Sequence, residues 1–411
     1  MDTQRDVDTP LRPLTGLQMA MIALGSVAMG TGMTINFVVV APLARTAGLA
    51  PIQVAGILTL SAAIYALMIP IWGRIADKVG RKRVMVFSLM AMGFTNMAFL
   101  FALSAALAGA ITGMTMFLTL VFVRVWFGLL SPGLQPASMA AMTDATTAET
   151  RAGGLGMLGA AVSIGSILGP AGATVLAPFG ALVPLWGAII FCLASGLLIA
   201  FALPPSRSAG RPAAARPTPL SMRDARVFPH LLFLFVYFLA VGMIQQTLGW
   251  FIEDRYSLPE EQVVLFTGIA FACLAVMMVV VQFGYVQPRK PDPRHILPVG
   301  LALVSIGYVS ANLLQPFWTV CIAFLVIGTG AALAVPAANA LGSLSVNRNE
   351  QGSAAALLAA APPAGFIFGP LIGAGFYQIA TPLPFYISAA IVGILAVYAS
   401  VVIAKRPLSI E

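Results

Sequence analysis

Charged residues are scarce in this chain. They make up 9% of its 411 residues, whereas 59% of the residues are hydrophobic and the mean hydropathy is +0.95. Soluble domains carry about 25% charged residues, so this chain has too few to cover a water-facing surface. The shortage excludes a soluble enzyme, a nucleic-acid-binding protein and a disordered chain. It predicts a protein that crosses a membrane several times.

Cysteine and histidine are also rare, with three and two residues respectively. Cys192, Cys273 and Cys321 stand alone in apolar stretches, without the spacing of a disulfide or a metal site. His230 and His295 fall at the ends of predicted helices. The sequence contains no nucleotide-binding loop, no HExxH pair and no Ser/His/Asp set. We therefore predict no enzymatic activity, no cofactor and no metal.

Long uncharged stretches give the number of membrane spans. A helix needs about 20 apolar residues to cross a bilayer, and three of the stretches exceed 50 residues, so each of those three holds two helices. Barrel strands would be short alternating segments instead. The sequence therefore predicts an all-α membrane protein with twelve spans. They are 17–43, 52–73, 84–106, 111–136, 154–177, 182–203, 229–252, 262–285, 295–314, 316–340, 353–377 and 383–404.

The basic residues predict the orientation of these spans. If both termini are in the cytoplasm, 19 of the 22 Lys and Arg residues fall on the inner side. Arg45 and Arg255 then lie outside, and Arg124 lies within the membrane. The net charge of +8 then reflects topology and contact with lipid headgroups, not nucleic acid. The first apolar run is too long for a signal peptide and is expected to remain as a span. Short loops and the lack of a targeting segment favour a bacterial inner membrane.

The two halves of the chain resemble each other. Six Gly and Pro positions recur at an offset of 200 residues: Gly128/Gly328, Pro136/Pro336, Gly165/Gly365, Gly169/Gly369, Pro170/Pro370 and Pro184/Pro384. Near the start of each half, a shift of 209 residues aligns LAPIQV with LPEEQV and sets Asn36 opposite Gln245. We predict two pseudo-symmetric six-helix bundles. The segments are a cytoplasmic N-terminus 1–16, a bundle 17–203, a flexible linker 204–228, a bundle 229–404 and a cytoplasmic C-terminus 405–411.

The loop between the second and third spans carries the most specific motif, GRIADKVGRKR at 73–83. Gly73 is expected to allow close approach of two helices, and Gly80 a tight turn between them. Asp77 could pair with a neighbouring cation or lie at a helix N-terminus, where the helix dipole favours an anion. Clustered cations around a turn at the inner face would be the simpler explanation of the basic residues.

Two membrane segments contain further candidate residues. Arg124 lies about midway along the fourth span, where a charge is costly and marks a functional site by default. The alternative is a structural arginine bonded to neighbouring polar groups. The fifth span contains small residues that permit close helix packing, together with a proline that bends the helix, although many bundles use small residues in this way. These residues are Gly156, Gly165, Gly169 and Pro170.

The motif at 73–83 resembles the cytoplasmic loop signature of the major facilitator superfamily, and the resemblance covers nearly all of the chain. It implies a latch that closes the inner side of the transporter. The residues it assigns to the latch are Gly73, Asp77, Gly80 and Arg81, with support from Asp144 and Arg151. The second half, around Gly284 to Arg294, lacks this pattern.

Two further motifs resemble those of the drug–proton antiporter branch of that family. Arg124-x-x-x-Gly128 resembles a fourth-helix motif whose arginine is implicated in proton transfer. The glycines of the fifth span resemble the motif typical of antiporters, except that Ala173-Thr174 stands where that motif ends in a Gly pair. The resemblance implies a substrate site near mid-membrane between the halves.

Acidic residues are almost absent from the membrane interior. Because Arg124 is the only deep charge, we expect the cavity to favour neutral or anionic amphiphiles. Glu253 and Asp254, at the outer end of the seventh span, join Arg124 as candidates for proton coupling, although they could simply be a solvated helix end beside Arg255. The candidate substrate contacts are Asn36, Phe37, Arg124, Gln245, Gln246, Trp250, Asn339 and Phe366.

The resemblance thus implies a secondary transporter that exports a small organic molecule by alternating access, driven by protons. A proton-coupled uptake symporter for an organic anion or metabolite is the alternative, and a non-transporting membrane receptor is a third. The expected partners are the substrate, protons and the lipid bilayer. We expect no nucleic-acid partner and a monomer.

Overall fold

The computed structural model describes residues 14–146, 148–204, 220–313, 315–347 and 350–403, which are almost entirely helical. The helices of the first part of the chain are α1 (Gly16–Thr46), α2 (Pro51–Val79), α3 (Arg81–Leu107), α4 (Gly113–Leu130), α5 (Leu134–Ala145), α6 (Ala148–Leu176) and α7 (Val183–Ala202). Those of the second part are α8 (Phe228–Tyr256), α9 (Glu260–Val281), α10 (Pro293–Ser310), α11 (Phe317–Leu344), α12 (Gln351–Ile379) and α13 (Leu383–Tyr398).

Eleven helices of the described residues are long and apolar enough to span a membrane, with α4 and α5 forming one span. The predicted ninth span corresponds to α10, which is not among the eleven and which begins with Pro-Arg-His. Large apolar side chains such as Leu67 and Phe201 are 72% and 86% uncovered by protein, as lipid-facing residues are. The all-α membrane fold is confirmed. The twelfth span and the cytoplasmic termini stay predictions, and residues 1–13 and 404–411 lie outside the described residues.

The chain divides into two units. The first comprises residues 1–50, 60–210 and 259–268, and the second comprises 51–59, 211–258 and 269–411. Two short segments, the start of α2 and the start of α9, therefore belong to the unit formed mainly by the other half of the chain. The predicted bundles at 17–203 and 229–404 did not anticipate this exchange, and their bounds stay predictions.

Each unit is organised around its first long helix. In the first unit, α1 packs along α6 and α7, and more than half of its residues are buried. In the second unit, α8 packs along α12 and α13 in the same way. Because both central helices are apolar around their whole circumference, helix packing and not a single amphipathic face positions their few polar residues.

The fourth predicted span, 111–136, is not one helix. It consists of α4 and α5, separated by Ser131-Pro132-Gly133, and it runs on to Ala145. Proline has no N–H to continue the helix ladder, and glycine weakens a helix. The Trp72 indole of α2 donates a hydrogen bond of 2.8 Å to the Leu129 carbonyl just before the break. The break therefore has a bonding partner on a neighbouring helix.

Two predicted ends also differ from the structure. The last predicted span, 383–404, is α-helical only to Tyr398 and continues as a π-helical turn, Ala399–Ile403. Residues 205–219 of the predicted linker 204–228 lie outside the described residues. The last part of this segment forms a turn. Asp224 accepts backbone bonds at its carbonyl from Val227 and Phe228, forming a turn that leads into α8.

Candidate functional site

Arg124 is the buried charge of the first unit. It lies in α4 and is only 2% exposed. Its Nη2 donates to Oδ1 of Asn36 in α1 at 2.5 Å, and its Nη1 donates to Oδ1 of Asn96 in α3 at 3.4 Å. The guanidinium therefore joins three helices through two neutral side-chain amides.

Aromatic rings supply the rest of the surroundings of this guanidinium. Its Cζ lies 4.1 Å from the ring centroid of Phe99 and 5.3 Å from that of Phe127. Such contacts stabilise a desolvated cation through the negative face of the ring. The main-chain carbonyl of Arg124 accepts a 3.0 Å hydrogen bond from the Ser61 hydroxyl, which ties α2 to α4.

Arg124 has no acidic counter-ion in the part of the chain that the structure describes. None of the ion pairs there involves this residue, and its Nε has no hydrogen-bond partner. An arginine does not lose its proton in proteins. Among the described residues of the first unit, Arg124 is therefore a fixed positive charge without an acidic partner, within a predicted membrane span.

Asn36 is oriented by a second bond. Its Nδ2 donates to the Gly32 carbonyl one turn earlier at 2.6 Å, so its Oδ1 is left to accept from Arg124. Asn96 was missed by the sequence analysis, because a single amide in an otherwise apolar span belongs to no motif. Both amides are buried, at 5% and 7% exposure.

The loop between α2 and α3 contains an ion cluster. Arg81 pairs with Asp77 and, at 3.5 Å from Nε, with Asp144 of α5. Asp77 therefore pairs with a neighbouring cation, which is one of the two roles predicted for it. Gly80 has a φ of 107°, a left-handed conformation that favours glycine. The cluster links α2, α3 and α5.

Gly73 and Arg151 are the remaining residues predicted for the latch. A Cβ on Gly73 would lie 3.6 Å from Pro136, which is an ordinary contact, so the helix approach at this point does not depend on glycine. The side chain of Arg151 lies outside the described residues.

The predicted small residues of α6 fall into two groups. A Cβ on Gly165 would lie 2.1 Å from the Val27 carbonyl of α1, and one on Gly169 would lie 2.3 Å from the Thr34 hydroxyl. Thr31 also donates a 3.1 Å hydrogen bond to the Gly165 carbonyl. Gly156 faces open space, so close packing does not explain the glycine at this position.

Pro170 of α6 lies close to α9. A Cβ on Gly268 of α9 would lie 3.1 Å from the Pro170 carbonyl.

Three of the candidate residues of the second unit, Gln245, Gln246 and Trp250, lie on α8. Gln246 is fully buried, and neither its Oε1 nor its Nε2 has a hydrogen-bond partner. The buried Oε1 of Gln245 also has none. Gly242 and Trp250, one turn on either side of Gln246, contact α12 through Pro370 and the Tyr377 ring. Gln246 thus lies on the face of α8 that packs against α12.

The acidic pair near the C-terminal end of α8 is only partly covered by protein. Glu253 is half-buried and Asp254 is exposed. Its Oδ2 accepts a 2.5 Å hydrogen bond from the Tyr377 hydroxyl of α12. This bond connects the C-terminal ends of the two helices.

Three further predicted contacts are spread over separate helices. Phe366 is half-buried, with its ring 5.5 Å from that of Phe238. Asn339 is exposed and donates to the Val335 carbonyl at 3.0 Å. Phe37 is half-buried beside Asn36 in the first unit.

An ion cluster at the start of α12 was not predicted. Arg226 binds Glu350 through Nη1 and Nη2 at 2.8 and 3.0 Å, and it binds Asp224 through Nε and Nη2 at 3.1 and 2.9 Å. Hydrogen bonds from Arg226 lower the pKa of both carboxyls below their usual values. The same bonds raise the pKa of Arg226. Arg226 thus joins the end of the predicted linker to α12.

Comparisons with known proteins identify the family. The sequence profile of the Major Facilitator Superfamily matches residues 22–311 and 290–410. The chain belongs to this superfamily. It is therefore a membrane transporter of small molecules and not an enzyme, as its composition and loop motif predicted.

The relatives of this superfamily member include resistance proteins. It is 26% identical over 329 residues to multidrug resistance protein 2 of Bacillus subtilis, covering 77% of this chain and 78% of that protein. It is 25% identical over 333 residues to the class C tetracycline resistance protein of Escherichia coli, with the same coverage. The fold matches a bacterial homologue of the human lysosomal transporter Spinster with a TM-score of 0.72, at 14% identity, covering 93% and 95% of the two chains.

Proposed function

We propose that this transporter exports neutral or anionic amphiphilic molecules in exchange for protons. The main support for this proposal is Arg124, a buried cation whose side-chain partners are neutral amides and aromatic rings. Efflux is supported by the relatives, which are multidrug and tetracycline resistance proteins. A monomer in a bacterial inner membrane, with twelve spans and cytoplasmic termini, completes the proposal.

The substrate class follows from electrostatics. Two unit charges about 10 Å apart interact by about 1.7 kcal/mol at an effective dielectric constant of about 20. That energy corresponds to more than a tenfold difference in affinity. A fixed positive charge without a counter-ion therefore repels a cationic substrate and attracts an anionic one over distances comparable to the size of a substrate.

Proton coupling needs groups that bind and release protons. Glu253 and Asp254 are the candidates among the acidic residues of α8, and the Tyr377 hydroxyl bonded to Asp254 would contribute to the same site. Arg124 would contribute by its charge. The cluster of Asp77, Arg81 and Asp144 would act as the cytoplasmic latch.

Transport in vesicles tests the proposal. Purified protein in proteoliposomes is given a pH gradient of either sign and three fluorescent amphiphiles of similar size, one anionic, one neutral and one cationic. We expect the anionic and neutral probes to move against the proton flow, and the cationic probe to move least. Movement with the protons would indicate a symporter. Fastest movement of the cation would overturn the substrate class, and no movement of any probe would contradict transport of such amphiphiles.

A further inference from the structure

The residues that surround Arg124 determine whether its charge is compensated. Two side chains bond the guanidinium, and both are asparagines. Asparagine and aspartate have nearly the same shape, but only aspartate carries a charge. A carboxylate at either position would convert the bare cation into an ion pair without a change in packing volume.

Asn96 is the position at which this substitution perturbs the structure least. Its amide oxygen lies 3.4 Å from Nη1, at the long end of hydrogen-bond distances, so a charged oxygen there has room to approach. Asn36 is held more tightly, because its own amide nitrogen bonds the Gly32 carbonyl and its oxygen lies 2.5 Å from Nη2.

We propose that Asn96 is a specificity-determining residue of this transporter, because its neutral amide leaves the charge of Arg124 uncompensated and so disfavours cationic substrates. Asn96 acts through Arg124 and need not touch the substrate. The inference rests on the proposed transport function, but it concerns the charge preference alone.

Two substitutions lower the net charge around Arg124 by the same amount. The wild-type environment has a charge of about +1, and Asn96→Asp and Arg124→Gln each bring it to about 0. A charge-driven preference must shift in the same direction in both variants. A purely structural role for Asn96 would not produce matching shifts, because Asn96→Asp keeps an oxygen acceptor for Arg124 whereas Arg124→Gln removes the guanidinium that donates to it.

The experiment measures equilibrium binding to detergent-purified protein, which does not require a complete transport cycle. The probes are the anionic, neutral and cationic amphiphiles used for transport. We expect the ratio of cation to anion affinity to rise at least tenfold in N96D and in R124Q. N96A removes the amide oxygen without adding charge and is the matched control. Its ratio should stay within about threefold of the wild-type ratio, since such a change corresponds to less than about 1 kcal/mol.

A second variant and the wild-type binding result separate a folding defect and a wrong substrate class from a failure of the inference. Asn36→Asp places the carboxylate on the opposite side of the guanidinium, and it should shift the ratio in the same direction even if N96D does not fold. An unchanged ratio in folded N96D or N36D would overturn the inference. Equal shifts in N96A and N96D would also overturn it, because they would assign the effect to the lost amide. If the wild type binds none of the probes, the proposed substrate class fails instead.

Discussion

Gly165 and Gly365 occupy corresponding positions in the two units. A Cβ on Gly165 would lie 2.1 Å from the Val27 carbonyl of α1, and a Cβ on Gly365 would lie 2.7 Å from the Phe235 carbonyl of α8. Gly165 therefore lets α6 approach the backbone of α1, and Gly365 lets α12 approach the backbone of α8. The repeat at an offset of 200 residues is thus a repeat of close helix contacts and not only of composition.

Replacement of Gly165 by alanine should destabilise the protein. The added methyl group would collide with a backbone carbonyl that cannot rotate away, and overpacking of this kind costs about 1–3 kcal/mol. The measurement is the melting temperature of the purified protein in detergent.

Gly172, in the same helix, provides the control. A Cβ at that position meets nothing within 4 Å, so Gly172→Ala should leave stability unchanged or raise it by up to about 1 kcal/mol through helix propensity. If G165A and G172A have the same melting temperature, the close contact between α1 and α6 does not exist in the membrane protein.

Replacement of Gln246 by leucine should stabilise the protein. Its amide is fully buried and bonds to nothing, and an unsatisfied buried polar group costs about 1–3 kcal/mol. Leucine fills similar space without that cost, so the free energy of unfolding should rise by about that amount. Chemical denaturation in detergent measures it.

Thr247 is the matched control for this prediction. It is equally buried, but its hydroxyl donates to the Met243 carbonyl at 2.9 Å. Thr247→Val removes a satisfied bond and should not stabilise. Lower stability in Q246L than in the wild type would mean that the amide is hydrogen-bonded in the protein.

Two features of these sites were accessible from sequence, and two were not. Arg124 stood out because a single charge in an apolar run is conspicuous, and the helices followed from the apolar runs. Asn96 and the break at 131–133 lie inside such runs, where hydropathy gives no signal. The partners of a buried charge depend on which helices are neighbours. Packing also decides which glycines are required, so Gly165 proved to be closely packed and Gly73 did not.

The cluster around Arg226 should make stability depend on pH at the acidic end. The pKa of Glu350 is lowered in the folded protein, so its contribution to stability is fully present above the unfolded pKa of about 4.3 and is lost as the pH falls through the folded value. Asp224 behaves with the same sign. Melting temperatures from neutral pH down to about pH 3 measure the effect.

Glu350→Gln identifies the contribution of this carboxyl. The variant should melt below the wild type at neutral pH, and the difference should vanish at the lowest pH, where the wild-type carboxyl is protonated. A constant difference between the two proteins over the whole range would show that proton binding by Glu350 is not involved.

The Arg81 cluster should affect transport more than stability. Asp77 and Asp144 are 64% and 42% exposed, and ion pairs at such exposure contribute at most about 1 kcal/mol. Asp144→Asn should therefore change the unfolding free energy by less than about 1 kcal/mol. Proton-driven flux in proteoliposomes should nevertheless fall, because the proposed latch loses a link between α3 and α5.

A double-mutant cycle with Arg81→Gln gives the control. The loss of flux in the double variant should be no greater than in either single variant, since both remove the same bond. Additive losses would separate the two residues and contradict a shared latch.

The interruption at Ser131-Pro132-Gly133 separates two residues to which we assign different functions in one membrane span. Arg124 lies on α4, and Asp144 lies on α5, beyond the interruption. A continuous helix would have to tilt as a whole, whereas an interrupted one lets the part with Asp144 move while the part with Arg124 stays in place. Rearrangement around Asp144 thus need not pull the guanidinium from its two asparagines, and the charge proposed to select the cargo can persist through a conformational change.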